Sequence, residues 1–148
     1  MKPPHERPKN ELTTAADIFQ RSEPSPSSDP LMNRVELAEI VESTLVHFQG
    51  DRFALHAWVV MPDHVHAVVT PRTKTLAEIV RSWKSFSAHQ INKVRGRKGR
   101  VWQVESFSHI VRNNADFERF VEYVERNPVE AGLCDASGSW PFSSARFR

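Results

Sequence analysis

The chain has 148 residues and a net charge of +2, which is enough for one domain with a buried core. No apolar run approaches the roughly 20 residues that cross a bilayer, and the charged N-terminus has no hydrophobic region behind it, so a membrane protein and a secretory signal are both disfavoured. The lone cysteine, Cys134, cannot form an internal disulfide, and we expect a protein of the reducing cytoplasm.

Residues 1–30 hold six of the ten prolines, together with several serines. Such a composition buries too little apolar surface to offset the entropy of the chain. We therefore predict a disordered tail over residues 1–30 and a folded domain over residues 31–148. The domain begins with an amphipathic helix, because apolar residues recur at threes and fours from Val35 to Phe48, between a possible cap at Asn33 and a stop at Gly50.

Residues 53–70 predict a β-hairpin around the turn signal Pro62-Asp63. Side chains alternate faces along a strand, so His64 and His66 project from the same side. Neutral imidazole is the commonest metal-ligating side chain, and two imidazoles on one rigid strand suit a divalent metal. The alternative is that both histidines sit on the wet face of an antiparallel sheet.

Residues 71–103 contain nine Lys/Arg and one acid, Glu78, so this segment carries +8 while the rest of the chain carries −6. A helix capped by Thr75 is predicted here, followed by a flexible basic loop over residues 95–100. Concentrated positive charge favours a polyanion such as nucleic acid, and a solvated basic helix face is the alternative. The candidate DNA contacts are Arg81, Lys84, Arg95, Arg97, Lys98 and Arg100. Trp102, beside the basic loop, is the candidate for base stacking, although a place in the core is the favoured interpretation for all four tryptophans.

The last part of the chain predicts a strand over residues 105–111 and a third helix. That helix is capped by Asn113 or Asn114 and ends near Arg126, because Pro128 disfavours helical geometry at Asn127. The order helix, strand, strand, helix, strand, helix predicts an α+β domain, with an antiparallel sheet and helices packed on one face.

The only tyrosine, Tyr123, lies on this third helix, and Asn127 follows at i+4 on the same helix face. A helical tyrosine is most often a packing residue. Here it occurs with two strand histidines and a basic segment. A tyrosine hydroxyl that attacks a phosphodiester needs a metal to polarise the phosphate and cations to hold the DNA. These three features together indicate metal-assisted DNA chemistry.

Several segments together resemble the single-tyrosine HUH transposases, in particular the branch of REP-associated tyrosine transposases, which are relatives of the small insertion-sequence enzymes. They are residues 57–69 with the His-hydrophobic-His motif, 83–86, 102–112, 123–133 and Trp140-Pro-Phe-Ser-Ser-Ala145. The resemblance covers residues 31–148.

The resemblance implies a ferredoxin-like fold and a substrate of single-stranded DNA with hairpins, either REP-like sequences or insertion-sequence ends. It implies that His64, His66 and Asn127 bind Mg²⁺ or Mn²⁺. Tyr123 would cut the strand, keep the 5′ phosphate as phosphotyrosine and leave a free 3′ hydroxyl. His109 matches a family position near the site, where it would contact the metal ligands or the DNA, with a structural histidine as the alternative.

The chain departs from the resemblance at its start. Relatives begin with a strand that pairs in the centre of the sheet, whereas this region is the Pro/Ser-rich tail here, with Ile18-Phe19 as the only remnant. This departure leaves open that the first strand is missing. That leaves open a degenerate copy that binds hairpin DNA without cutting it, and a metal-dependent phosphoesterase that uses water as the nucleophile. The sequence also leaves open a monomer or a homodimer.

Overall fold

The computed structural model describes residues 13–20, 35–104 and 107–148. Four strands form one antiparallel sheet: β1 (Thr14–Gln20), β2 (Phe53–Val60), β3 (His64–Pro71) and β4 (Phe107–Ile110). Three helices accompany them: α1 (Val35–Val46), α2 (Leu76–Arg95) and α3 (Asn114–Glu130). The strand order is β2-β3-β1-β4, which is the ferredoxin-like arrangement and confirms the predicted α+β class. No helix among the described residues is long and apolar enough to span a bilayer.

β1 corrects the expectations about the N-terminal region. Its backbone pairs with β3 from Thr14 to Gln20 and with β4 from Thr14 to Asp17. The first strand is therefore present, and residues 14–20 belong to the sheet rather than to a disordered tail, so the domain begins before residue 31. This stretch contains no proline, so every residue can donate to a ladder, and both neighbouring strands gain partners for their backbone groups. Residues 1–12 and 21–34 lie outside the described part of the chain.

The two faces of the sheet carry separate hydrophobic clusters. On one face, Val65, Ala67 and Val69 of β3 pack with the buried residues of α1 and α2. On the other face, Val68 packs with Val124 of α3. The expectation that all helices share one face is wrong for α3. The physical reason is that β2 and β3 are apolar on both faces, so each face has to be covered.

α3 begins where the sequence predicts and ends later than predicted. Asn113 is its N-cap, but the helix continues through Pro128 to Glu130. The predicted end at Asn127 is wrong because proline in the last turn removes only one backbone hydrogen bond. The turn is kept by the Ala131 N–H, which donates to the Asn127 carbonyl at 2.9 Å.

The chain after α3 returns to the outer edge of β2. Ser143 forms a bridge with Val59, and the Val60 N–H donates to the Phe142 carbonyl at 2.9 Å. The indole N–H of Trp140 donates to the Val60 carbonyl at 3.0 Å. These contacts satisfy backbone groups that an edge strand would otherwise expose.

Candidate active site

The two histidines of β3 lie together on the face of the sheet that α3 covers. The ring centroids of His64 and His66 are 4.6 Å apart, and the rings meet at 78°. His66 is buried, with 6% of its surface exposed, while the side chain of His64 is 26% exposed. The alternation along the strand thus places the two imidazoles side by side at the rim of the α3 face.

A carboxylate directly before β3 orients the first histidine. His64 Nδ1 lies 2.6 Å from Asp63 Oδ1, so Nδ1 donates to the carboxylate, and in a neutral ring the lone pair is then on Nε2. Such a carboxylate holds a metal-ligating imidazole in one orientation and raises its basicity. The sequence reasoning treated Asp63 only as a turn residue. Its position next to His64 is the signal that could have identified it.

α3 brings the only tyrosine of the chain to these histidines. The ring centroids of His66 and Tyr123 are 5.7 Å apart, with the rings at 69°. Tyr123 is 57% exposed, although its neighbour Val124 is buried in the cluster beneath the helix. The phenol therefore stands against a buried imidazole and stays accessible to a large substrate.

Two cavities meet at Tyr123. The first, of about 250 Å³, is lined by Ala15, His66, His109, Arg119, Phe120, Tyr123 and Val124. The second, an open groove, is lined by Arg119, Glu122, Tyr123, Arg126, Asn127, Glu130 and Ala131. Asn127 thus lies beside Tyr123 along the helix, but it lines a different cavity from His66. Arg119, which the sequence reasoning missed, lines both cavities.

The other two histidines near this site differ in their surroundings. His109 is exposed on β4, stacks on Phe120 with centroids 6.1 Å apart and rings at 13°, and lines the first cavity. His56 Nε2 lies 2.7 Å from Thr70 Oγ1, and its ring meets Phe117 edge-on at 5.2 Å. His56 is therefore a packing residue between the sheet and α3, whereas His109 faces the candidate site.

The predicted DNA-contacting cations lie on α2 and the loop after it. Arg81 is exposed, and Lys84 is half-buried because its Nζ donates to the Gln103 carbonyl at 2.9 Å. The remaining cations are the half-buried Arg95 and the exposed Arg97, Lys98 and Arg100. A cleft between α2 and residues 100–104 has Arg81, Lys84 and Arg100 among its lining residues and reaches Ser108 of β4. These cations lie on the opposite face of the sheet from Tyr123, with the edge strand β4 between them.

Trp102 is not placed for base stacking. Only 3% of its surface is exposed, and its indole N–H donates to the hydroxyl of the fully buried Ser87 at 2.9 Å. The stacking role is wrong for Trp102, and the core placement favoured for the tryptophans holds, because the indole anchors the end of the basic loop against α2 with its polar nitrogen satisfied inside the core.

Comparison with known proteins gives one consistent family. A family model described as "Transposase IS200 like" matches residues 32–127. The chain is 30% identical over 108 residues to the REP-associated tyrosine transposase of Escherichia coli (strain K12), a match that covers 72% of this chain and 63% of that protein. A relative from Haemophilus influenzae is 21% identical over 123 residues, covering 74% of this chain and 66% of the relative. The chain thus spans under two thirds of the length of each relative.

One solved structure resembles the whole of this chain. It is a REP-associated tyrosine transposase bound to a REP hairpin, with a TM-score of 0.71 and 24% sequence identity over 99% of this chain and 84% of that one. At this identity the likeness establishes the fold.

Proposed function

The chain belongs to the IS200-like transposase family, and on that premise we propose that it cleaves and rejoins single-stranded hairpin DNA with Tyr123 as the nucleophile. The match to the family model and the 30% identity to the relative from Escherichia coli confirm the family resemblance that the sequence motifs indicate. The observation that supports the proposed chemistry best is the 5.7 Å separation of the Tyr123 and His66 rings within one chain. A missing first strand was the reason to consider a module that binds DNA without cutting it. That reason no longer holds, because β1 is part of the sheet.

In the proposed reaction the phenol oxygen of Tyr123 attacks a backbone phosphorus, and the bond from that phosphorus to the 3′ oxygen breaks. The 5′ phosphate stays on Tyr123 as a phosphotyrosine, and the proton lost by the phenol is balanced by the proton that the departing 3′ oxygen takes up from water. Rejoining is the reverse: a 3′ hydroxyl attacks the phosphotyrosine, and the phenol regains its proton. No nucleotide cofactor is needed, because each phosphodiester bond is exchanged for another ester.

The donor set fits a divalent cation, Mg²⁺ or Mn²⁺. His64, oriented by Asp63, and His66 would hold it, and imidazole nitrogens suit Mn²⁺ at least as well as Mg²⁺. When bound, such an ion polarises a phosphate oxygen and offsets the charge that develops there. The described residues contain no cluster of three His, Cys, Asp or Glu side chains, so the Asn127 amide, water and the DNA phosphate would complete the shell.

We expect the DNA to pass over the edge of β4. Affinity would come from the cations of α2 and its loop on one face of the sheet, whereas Tyr123 lies on the other face. Ser108 lines the basic cleft and His109 lines the cavity of Tyr123, so adjacent β4 residues border both regions. Phosphate contacts of this kind hold the strand in place without reading its sequence.

The test is incubation of the protein with hairpin-bearing single strands and Mn²⁺, followed by denaturing electrophoresis. We expect a covalent protein–DNA adduct that is absent from Tyr123→Phe. His64→Ala or His66→Ala should also lose the adduct while most of the DNA affinity remains, since phosphate contacts supply that affinity. Binding without any adduct would support a module that only binds DNA. Metal-dependent cleavage that survives Tyr123→Phe would support a phosphoesterase that uses water.

A further inference from the structure

α3 carries a carboxylate that is largely shielded from solvent, on the side away from Tyr123. Glu125 lies two residues further along the helix, about 200° around its axis, and its side chain is only 12% exposed. Its Oε2 accepts from Ser144 Oγ at 2.6 Å and from Arg148 Nη2 at 2.8 Å. A carboxylate this buried requires partners, and both of these belong to residues 140–148, which we call the C-terminal clamp.

The C-terminal clamp connects Glu125 to the backbone of β2. The Trp58 N–H donates to Ser144 Oγ at 3.0 Å, and the same hydroxyl donates its proton to Glu125. Arg148 Nη2 donates to the His56 carbonyl at 3.3 Å. Because β2 pairs with β3, which carries the two histidines, this chain of hydrogen bonds links the helix of Tyr123 to the sheet that carries His66.

The clamp is also anchored on the opposite face of the sheet. Arg146 forms a two-point ion pair with Glu42 of α1, with its Nη2 2.8 Å from Oε1, and the indole N–H of Trp58 donates to Glu42 Oε2 at 2.9 Å. The clamp thus crosses the outer edge of β2 and holds a helix on each side. Two-point Arg–carboxylate pairs fix orientation as well as distance.

α3 buries fewer residues against the sheet than α1 does. Its buried residues are Val124 and Pro128, whereas the shorter α1 buries Leu37, Ala38, Val41, Thr44 and Leu45. Its other apolar contacts, such as Phe117 and Phe120, are only partly buried. The hydrogen bonds and ion pair of Glu125 therefore add polar contacts to the apolar ones that hold the helix on the sheet.

We propose that Glu125 is a positioning residue, whose bonds to the C-terminal clamp keep Tyr123 against His66. The catalytic meaning of this clamp rests on the proposed function. Its effect on the position of Tyr123 does not, and can be measured separately.

The single tyrosine makes that measurement direct. Incorporation of 3-fluorotyrosine yields one ¹⁹F resonance, from residue 123, whose shift depends on the neighbouring His66 ring. We expect the resonance of Glu125→Ala to move toward that of free fluorotyrosine. The matched control is Glu118→Ala, which removes an exposed carboxylate from the same helix that lines neither cavity at Tyr123, and it should leave the resonance in place.

Substitutions of Arg148, which is 56% exposed, cover the case in which Glu125→Ala does not fold. Arg148→Ala should move the resonance in the same direction, and Arg148→Lys should restore part of the wild-type shift because it keeps a cation near Glu125. Unchanged resonances in folded Glu125→Ala and Arg148→Ala would overturn the positioning role. Circular dichroism establishes that each variant is folded.

The catalytic arm uses single-turnover adduct formation and hairpin affinity. A displaced phenol should slow adduct formation about 10- to 100-fold in Glu125→Ala with an unchanged hairpin Kd, whereas a loss of fold would impair both. If wild-type protein forms no adduct, the proposed function fails, while the ¹⁹F shift still decides whether the clamp positions Tyr123.

Discussion

Replacing Trp102 by phenylalanine distinguishes a loop anchor from a base-stacking platform. A stacking residue would tolerate phenylalanine, because any aromatic face can support a base. An anchor would not, because the indole N–H donates to Ser87 Oγ at 2.9 Å. We therefore expect Trp102→Phe to lower the free energy of unfolding and to leave the DNA affinity of the folded protein close to that of the wild type.

The size of the effect follows from the surroundings of the indole. The lost hydrogen bond costs about 1 kcal/mol, and the gap left by the smaller ring costs about another 1–2 kcal/mol. Ser87 Oγ still donates to the Trp83 carbonyl at 2.6 Å, so its hydroxyl keeps a partner and the hydrogen-bond cost stays small. Trp102→Ala should cost about 3–5 kcal/mol, which is a large fraction of the stability of a typical domain.

Urea unfolding followed by fluorescence measures the stability, and fluorescence anisotropy with a labelled hairpin measures the affinity. Phe86→Ala is the control, because Phe86 lies next to Ser87 on α2 but is 55% exposed, and exposed substitutions change stability by about 0.5 kcal/mol or less. If Trp102→Phe proved as stable as the wild type, the anchoring role of Trp102 would be refuted.

Three further results are expected. Replacing Arg97, Lys98 and Arg100 by glutamine should lower the slope of log Kd against log salt by about 2 for single-stranded DNA, and an unaltered slope would place the phosphates elsewhere. Asp63→Asn should weaken Mn²⁺ binding by about 10- to 100-fold in titration calorimetry, with equal affinity counting against the orienting role of Asp63. The pKa of Glu78 is lowered from 4.5 by hydrogen bonds from the Thr75 backbone and side chain. The stabilisation by ionised Glu78 is thus present above pH 4.5 and lost as the pH falls through the lowered pKa. The Tm values of wild type and Glu78→Gln should therefore differ at neutral pH and converge in acid. A Tm difference that stays constant with pH would contradict this.

Local patterns in the sequence determined the elements that depend on neighbouring residues. The spacing of His64 and His66 placed both rings on one face of a strand, because side-chain direction alternates with every residue. Thr75 and Asn113 marked the starts of α2 and α3, because a cap needs only a side-chain oxygen close to the first turn. The family motifs added Tyr123 as the candidate nucleophile.

Only the tertiary structure decided how these elements meet. β1 was overlooked because a short strand among prolines has little signal of its own and is held by ladders on both sides. For Trp102 the sequence favoured the core but left base stacking open, and the structure decides for the core, where Ser87 on a neighbouring element accepts its N–H. Tyr123 and His66 are far apart in the sequence, yet their rings are in contact in the structure. Their approach depends on which face of the sheet α3 covers and on contacts such as Glu125 with Ser144, and long-range packing of this kind leaves no periodic trace in the sequence.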